Sequence, residues 1–417
     1  MSDKASLTHL TNIVSSRSKA YGLNLSSKQA FNVPNNLKTE YVVLPSTSQP
    51  AFGSFFIFDI KDKNIILSDL IIQFNCSAIT GVTGSPSTNH PHFVPAFFFC
   101  SKIEVIINNV CIDTYYPLQQ FIANQFGFHD EDRLLYNNLA GSYASVQQRF
   151  TLNAAGSNYY LKLRSVFNEI HMPLLNESHQ VQLRCYVDTL TNVVAVGSGA
   201  TGTAAATINF ANLICKVMKL PSEIALTRLQ AMNKAPEHNI YHSLRYAPFG
   251  GIAANTTTQT FIMTPFVGSV VAIFFVVREV AKLNRDESYQ FTPIKDFQLL
   301  DGTSSNMNGG TVINSAVALN FLNSYNCKSS YPAEVASSVN LSGAVNDNKA
   351  NVYCFSFSTN LVTALQDGVL LGSKRFQGNE QLIINFNASL AASQLDVFCY
   401  TQSVLEQGSN YVKIYNL

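Results

Sequence analysis

Charge is scarce in this sequence. Charged side chains make up only 13% of the 417 residues, about half the share usual for a globular protein. With 27 basic and 26 acidic residues the net charge is +1, which removes any general electrostatic drive toward nucleic acid or an anionic membrane surface. No sequence-specific nucleic-acid partner is expected. A CxxC pair is also missing: Cys76, Cys100, Cys111, Cys185, Cys215, Cys327, Cys354 and Cys399 are scattered. Most sit in apolar runs, where a thiol acts as a small hydrophobe, so the pattern argues for a reducing compartment and against a disulfide frame. No signal peptide precedes the sequons at Asn176 and Asn387, which an Asn/Ser-rich chain produces by chance. The most apolar run, Phe266 to Val277, is interrupted by Gly268 and Ser269 and is too short to span a bilayer. A soluble chain is expected.

Motifs for chemistry are equally sparse. There is no GxSxG elbow, no HExxH and no P-loop. Gly197-Ser-Gly199-Ala-Thr-Gly202 matches GxGxxG, but in a dinucleotide site those glycines open a helix; here Thr203 to Phe210 soon reads as a strand, and Glu223 starts a helix instead of ending a strand. His90-Pro-His92 supplies two imidazoles without a third ligand and reads as a solvated loop. His129-Asp-Glu-Asp132 lacks the alternating spacing of a calcium loop and reads as a solvated or interface turn. His171, His179, His238 and His242 are spread out. Phe97-Phe-Phe99 and Phe274-Phe275, placed at corresponding points of two halves, could line a ligand cage, but core filling is the ordinary role of such runs. No residue is assigned a catalytic, cofactor-binding or metal-binding role.

What is abundant is Phe, Tyr, Asn, Ser and Thr in strand-like patterns. After a polar arm, residues 1–40, with a helical stripe of Leu7, Leu10, Ile13 and Val14 beside Lys4, Arg17, Lys19 and Lys28, strands are expected at Phe52 to Ile60 and Ile65 to Cys76. Ile79 to Pro91 reads as a loop. Phe97 to Ile107 and Val110 to Tyr115 form a hairpin, because Asn108-Asn109 tolerates the positive φ of a tight turn. Pro117 to Phe128 reads as a short helix. Leu161 to Arg164 and Val181 to Asp188 alternate strictly, setting Val181, Leu183, Cys185 and Val187 on one face. Asn192 to Thr203 reads as a loop and Ile208 to Met218 as a strand.

Between two such stretches stands a charged, helix-patterned connector, Leu220 to Tyr246. Ser222 can cap its first turn, Glu223 suits the positive helix end, Ala225, Leu229 and Met232 recur at helical spacing, and Asn233 and Pro236 stop it. Beyond it the order recurs: strands at Thr258 to Pro265, Val270 to Val280 and Ile294 to Leu300, an Asp301-Gly302 turn, and a helical patch at Val312 to Tyr325. Further strands follow at Val352 to Ser358, Leu382 to Asn387 and Leu395 to Tyr400, with an edge piece at Val412 to Tyr415. A tandem architectural repeat is the economical account: an all-β chain of two eight-stranded sandwiches with short inserted helices. Its divisions are an arm at 1–40, a first sandwich at 41–220, a helical hinge at 221–240 and a second sandwich at 241–417. A jelly roll is the commonest eight-stranded version, although strand order is not readable from the residues.

The pattern resembles the double jelly-roll major capsid proteins of icosahedral DNA viruses, in the virophage, Polinton-like and nucleocytoplasmic large DNA virus lineage. The resemblance rests on Phe99 to Asp113 (FCSKIEVIINNVCID) followed by a Gln/Asn-rich helix, on Met172-Pro-Leu-Leu175 before an alternating strand, and on Phe355 to Asn360 and Gly378 to Ile384. It implies a homotrimer whose six jelly rolls make a pseudo-hexagonal capsomer, packed with neighbouring capsomers, penton and minor capsid proteins into a virion shell. It also implies that the arm touches a minor protein, a neighbour or an inner membrane. Two rivals are weaker. A twin-sandwich lectin or adhesin calls for a secretion signal and exposed aromatics with acidic partners, and a cupin-like enzyme calls for a His/carboxylate metal set. A penton or scaffold role is the near viral rival.

Overall fold

The computed structural model describes residues 38–83, 91–127, 139–141, 156–170, 172–195, 201–282, 291–302, 313–314, 353–358, 372–387 and 390–416. Within them the first half contributes β1 (Thr39–Pro45), β2 (Phe55–Ile60), β3 (Ile65–Cys76), β4 (Cys100–Ile107), β5 (Val110–Tyr115), β6 (Ser157–Leu163), β7 (Val181–Val187) and β8 (Ile208–Lys219). Helix α1 (Pro117–Gly127) and the single turn α2 (Val166–Glu169) flank β6, and α3 (Ser222–Lys234) links the halves. The second half contributes β9 (Glu237–Ile252), β10 (Thr258–Ile262), β11 (Val267–Glu279), β12 (Ile294–Leu300), β13 (Ile313–Asn314), β14 (Tyr353–Ser356), β15 (Gln381–Phe386) and β16 (Ser393–Gln407).

All these strands pair antiparallel. The first half forms sheets β1-β8-β3-β6 and β2-β7-β4-β5, the second β9-β16-β11-β14 and β10-β15-β12-β13. Numbering the strands one to eight within each half, both halves read 1-8-3-6 and 2-7-4-5. That order is the jelly roll, and its exact recurrence makes the repeat architectural. Strand β1 pairs with β8 from Thr39↔Met218 to Pro45↔Asn212, and β9 pairs with β16 from Glu237↔Gln407. The β4–β5 turn places Asn108 at φ 48° and Asn109 at φ 61°, the conformation a two-residue hairpin demands.

Alternation explains the inner faces. Along β7, Val181, Leu183, Cys185 and Val187 are buried while Gln182, Arg184 and Tyr186 stay half-buried. From Val270 to Val277 strand β11 is instead continuously apolar and buried, because both faces of that stretch are covered. Ile273, Phe275 and Val277 enter the core of the second sandwich, whereas Ala272, Phe274 and Val276 join the core of the first half. Inside the second core Phe275 stacks on Tyr353 at 5.3 Å and meets Phe297 edge-on at 4.9 Å. Truncating such a ring costs about 3–5 kcal/mol.

Several expectations need correction. The helical part of the connector is confined to α3, and from Glu237 onward the chain is the sixteen-residue strand β9, whose polar residues find partners across the fold and so hide its period. Pro221, not Ser222, occupies the cap position, and no side-chain cap bond forms. The expected loops carry short pairings: Thr80–Thr83 with Thr201–Ala205, and His92–Phe93 with Val194–Ala195, after the one-turn helix Leu190–Val193. The expected helical patch at Val312 to Tyr325 opens as strand β13, pairing with Phe297 and Asp296 of β12; residues 315–325 lie outside the described residues. The two aromatic runs do not correspond, since Phe97 and Phe98 lie in a 3-10 turn before β4, whereas Phe274 and Phe275 lie in β11, the third strand of its roll.

Candidate functional site

The structure disperses the sequence candidates. His92 is a buried strand residue, 1% exposed, and not part of a solvated loop; His90, His129 to Asp132, His171 and Cys327 lie outside the described residues. Gly202, opposite Val82, and Gly81 lie where the two strands run so close that a Cβ on either would strike the partner strand's backbone, so these glycines serve strand approach. Phe97 and Phe99 are core residues, with Phe99 5.3 Å from Phe74 and 5.2 Å from Tyr159. Seven described cysteines are free thiols, all buried except Cys111. Among the described residues no group of three or more His, Cys, Asp or Glu is placed to hold a metal ion, and no helix is long and apolar enough to cross a membrane.

What the fold does bring together is a polar seam between the two rolls. From the first half come β5, α1 and α2; from the second come β9, β11 and β16. Tyr241 Oη donates to the Ile112 carbonyl at 3.0 Å. Glu169 Oε2 accepts the His242 backbone N–H at 2.7 Å and lies 3.1 Å from its Nδ1. The Tyr246 ring lies between Tyr116 of the first half, at 4.8 Å, and Phe398 of the second, at 5.1 Å. Its hydroxyl donates to Asp396 at 2.6 Å, and Arg278 Nε donates to the other oxygen of that fully buried carboxylate at 2.6 Å. A buried charge is tolerated only with such saturation.

The seam also perturbs titratable groups. Asp113 keeps some accessible surface, yet protein crowds its carboxyl on most sides. Desolvation pushes it up to about 8; the Thr114 N–H and the Tyr115 hydroxyl oppose that shift, and the Glu169 charge adds to it. Burial likewise drives the Tyr115 and Tyr241 hydroxyls well above their ordinary value. Asp113, Arg164, Glu169, His242 and Tyr400 border a cavity of about 20 Å³, room for a single water. Gln120 closes one side, donating to the Arg164 carbonyl at 3.2 Å and accepting the Arg164 N–H at 2.9 Å. The arrangement can join two sandwiches rigidly.

A second feature is a contrast between equivalent faces. In the second roll the outer face of the sheet β9-β16-β11 carries Leu244, Phe274, Val276, Phe398 and Tyr400, all buried against the first half. In the first roll the same position of sheet β1-β8-β3 carries Tyr41 at 66% and Val43 at 56% exposure. Across the ladder Val43 faces Ile214, which faces Ile71, both half-buried. One face is covered and its twin is open.

No family model matches the sequence, and no curated protein matches it. Solved structures do. VP54 of PBCV-1 matches with a TM-score of 0.65 at 13% identity, over 92% of this chain and 98% of that one. The Faustovirus major capsid protein matches at 0.65 and 9% identity, over 91% and 92%. A chain of the Sputnik virophage matches at 0.64 and 10%, over 93% and 90%. This chain has their fold, the double jelly roll. At such identity the likeness is one of architecture, and the residues of this double jelly roll's seam stand on their own geometry. Sequence reading missed that seam because its partners, such as Asp113, Glu169, His242 and Asp396, are far apart in the chain. The only local trace is the cluster of polar residues in β9, Glu237 to Ser243.

Proposed function

We propose that this double jelly roll is a major capsid protein, a structural component of a virion shell rather than an enzyme. Three copies form a pseudo-hexagonal capsomer, and capsomers tile an icosahedral lattice with penton and minor capsid proteins. The observation that carries this reading is the covered face and its open twin. Within one chain the first roll already seats its β5 and α2 flank on the outer sheet face of the second. Repeating that contact from chain to chain would seat the second roll of a neighbour on Tyr41, Val43 and Ile214 of the first. Such head-to-tail repetition closes into a ring when the rotation allows, and three chains of two rolls give six positions. On this reading the two rolls open at β1 and β9, α3 is the hinge between them, and the arm that precedes β1 meets minor proteins, neighbours or an inner membrane.

The test is light scattering and negative-stain microscopy of the purified full chain. Trimers of hexagonal outline are expected; a stable monomer at high concentration would overturn the proposal.

A further inference from the structure

We propose that His179 is an acid-sensitive clasp: its neutral ring holds the C-terminal hairpin against the first roll and lets it go on taking a proton. The inference goes beyond the capsid reading and does not depend on it.

The hairpin consists of β16 and the terminal strand Val412–Asn416, paired from Gln407↔Val412 to Ser403↔Asn416. Its turn docks on residues 173–179 of the first half, which lead into β7. Three side chains make the junction. Gln407 Nε2 donates to the Pro173 carbonyl at 2.7 Å, Asn176 Nδ2 donates to the Ser409 carbonyl at 2.6 Å, and His179 Nε2 lies 2.7 Å from the Gly408 carbonyl. Only the histidine can titrate.

Its two neighbours dictate its protonation state. On one side the Leu175 backbone N–H points at Nδ1, 3.4 Å away. A backbone N–H can only donate, so Nδ1 must keep its lone pair. On the other side the Gly408 carbonyl can only accept, so Nε2 must carry the proton. The neutral Nε2–H tautomer satisfies both. A second proton, on Nδ1, would set two N–H groups against each other at a residue that is 0% exposed, where water cannot enter to separate them. The ring must then rotate or leave, and either movement breaks the bond to Gly408.

The surrounding charges do not compensate. Glu177, on the same turn as His179, is ion-paired to Lys63. Glu237 at the start of β9 favours the charged ring, but both of its oxygens are held by Arg228 of α3. On the hairpin side Glu406 engages His238 and Tyr411, and Lys413 lies over the Tyr411 ring. Burial is the largest influence on His179 and lowers its proton affinity, partly offset by the Gly408 bond and by Glu237.

The sign follows. A histidine whose folded-state value lies below its free value of about 6.5 supports the closed junction fully above that pH. The support is lost as pH falls below it, and opening rises up to tenfold per pH unit until the folded-state value is reached. Hydrogen exchange of the full chain between pH 7.5 and 5.0, corrected for intrinsic rates, reads this directly. Protection over residues 403–416 is expected to fall in the wild type and to stay level in His179→Gln, whose amide can still donate to Gly408 but does not titrate. Equal pH dependence in the two proteins would overturn the proposal. Should the variant fail to fold, the wild type decides alone by ¹⁵N-histidine spectra: an Nδ1–H tautomer at pH 7.5, or level protection of 403–416 down to pH 5.0, rejects the clasp.

Discussion

Glu169 and His242 meet across the seam, and a single carboxylate oxygen serves two groups of the histidine: its backbone N–H at 2.7 Å and its ring Nδ1 at 3.1 Å. Both residues are buried. One atom at the end of α2 therefore sets the position of the β9 backbone and the orientation of a β9 side chain together. Apolar contact alone is non-directional, so Phe274 and Tyr400 could hold the rolls together without defining their register. The polar seam supplies that definition.

Removing the carboxylate should therefore be costly. In Glu169→Ala the buried His242 N–H loses its partner, and leaving such a donor unsatisfied costs about 1–3 kcal/mol. Urea unfolding of the full chain would show it as a lower midpoint. A loss below about 1 kcal/mol would mean that water reaches the N–H and that the seam is looser than its geometry.

Asp113 makes the seam weaken as pH rises toward about 8. Its folded-state value of about 8 lies above the unfolded value of about 3.9. The folded state thus binds the extra proton, and stability is lost as pH rises between those two values. Asp113→Asn keeps the shape and an acceptor for the Thr114 N–H while removing the titration. The variant should be less sensitive than the wild type to a change from pH 6 to pH 9 in thermal melts. Parallel melting curves would place the pH sensitivity elsewhere.

The open face of the first roll separates assembly from folding. Val43 projects outward from edge strand β1 and is 56% exposed, so Val43→Lys should change the stability of the isolated chain by no more than about 0.5 kcal/mol. A lysine buried in an apolar contact between copies is poorly tolerated. If the proposed trimer is right, light scattering should accordingly report a smaller species for Val43→Lys than for the wild type at the same concentration. Trimers that persisted in Val43→Lys would show that the contact lies on another face.

Much of the fold was legible because much of it obeys local rules. Val181 to Val187 alternates since only one face is buried; Asn108-Asn109 marks its turn because few residues accept positive φ; Ala225 and Met232 of α3 keep helical spacing because they pack on Ile66 and Leu175. The failures share a physical cause. Thr201–Ala205 looks like a loop because it pairs with Thr80–Thr83, more than a hundred residues away, through small residues and with no buried face. Strand β9 hides because His238, His242 and Ser243 are satisfied by Glu406, Glu169 and Thr401, so polar residues stand where a period of two would place apolar ones. Beyond that polar cluster in β9 the seam left no local signature, since its bonds join residues brought together only by the docking of complete sandwiches.

The hinge offers the sharpest mutational contrast. Helix α3 touches both rolls: Ala225 and Met232 pack beneath β3, while Arg228 holds Glu237 of β9 through two N–H···O bonds. Leu226 lies between these anchors yet is 57% exposed, so its side chain contributes little and Leu226→Ala should be nearly neutral. Leu226→Pro leaves the same surface but removes the backbone N–H and drives the ring into the carbonyl of Ser222, a cost of about 3 kcal/mol. The damage should also spread, because a kink between Ala225 and Arg228 cannot satisfy both rolls at once. Reduced stability together with weakened trimers is expected of the proline variant alone. Trimer formation equal to that of Leu226→Ala would make α3 a passive tether, leaving the angle between the rolls to the seam of Glu169, His242 and Asp396.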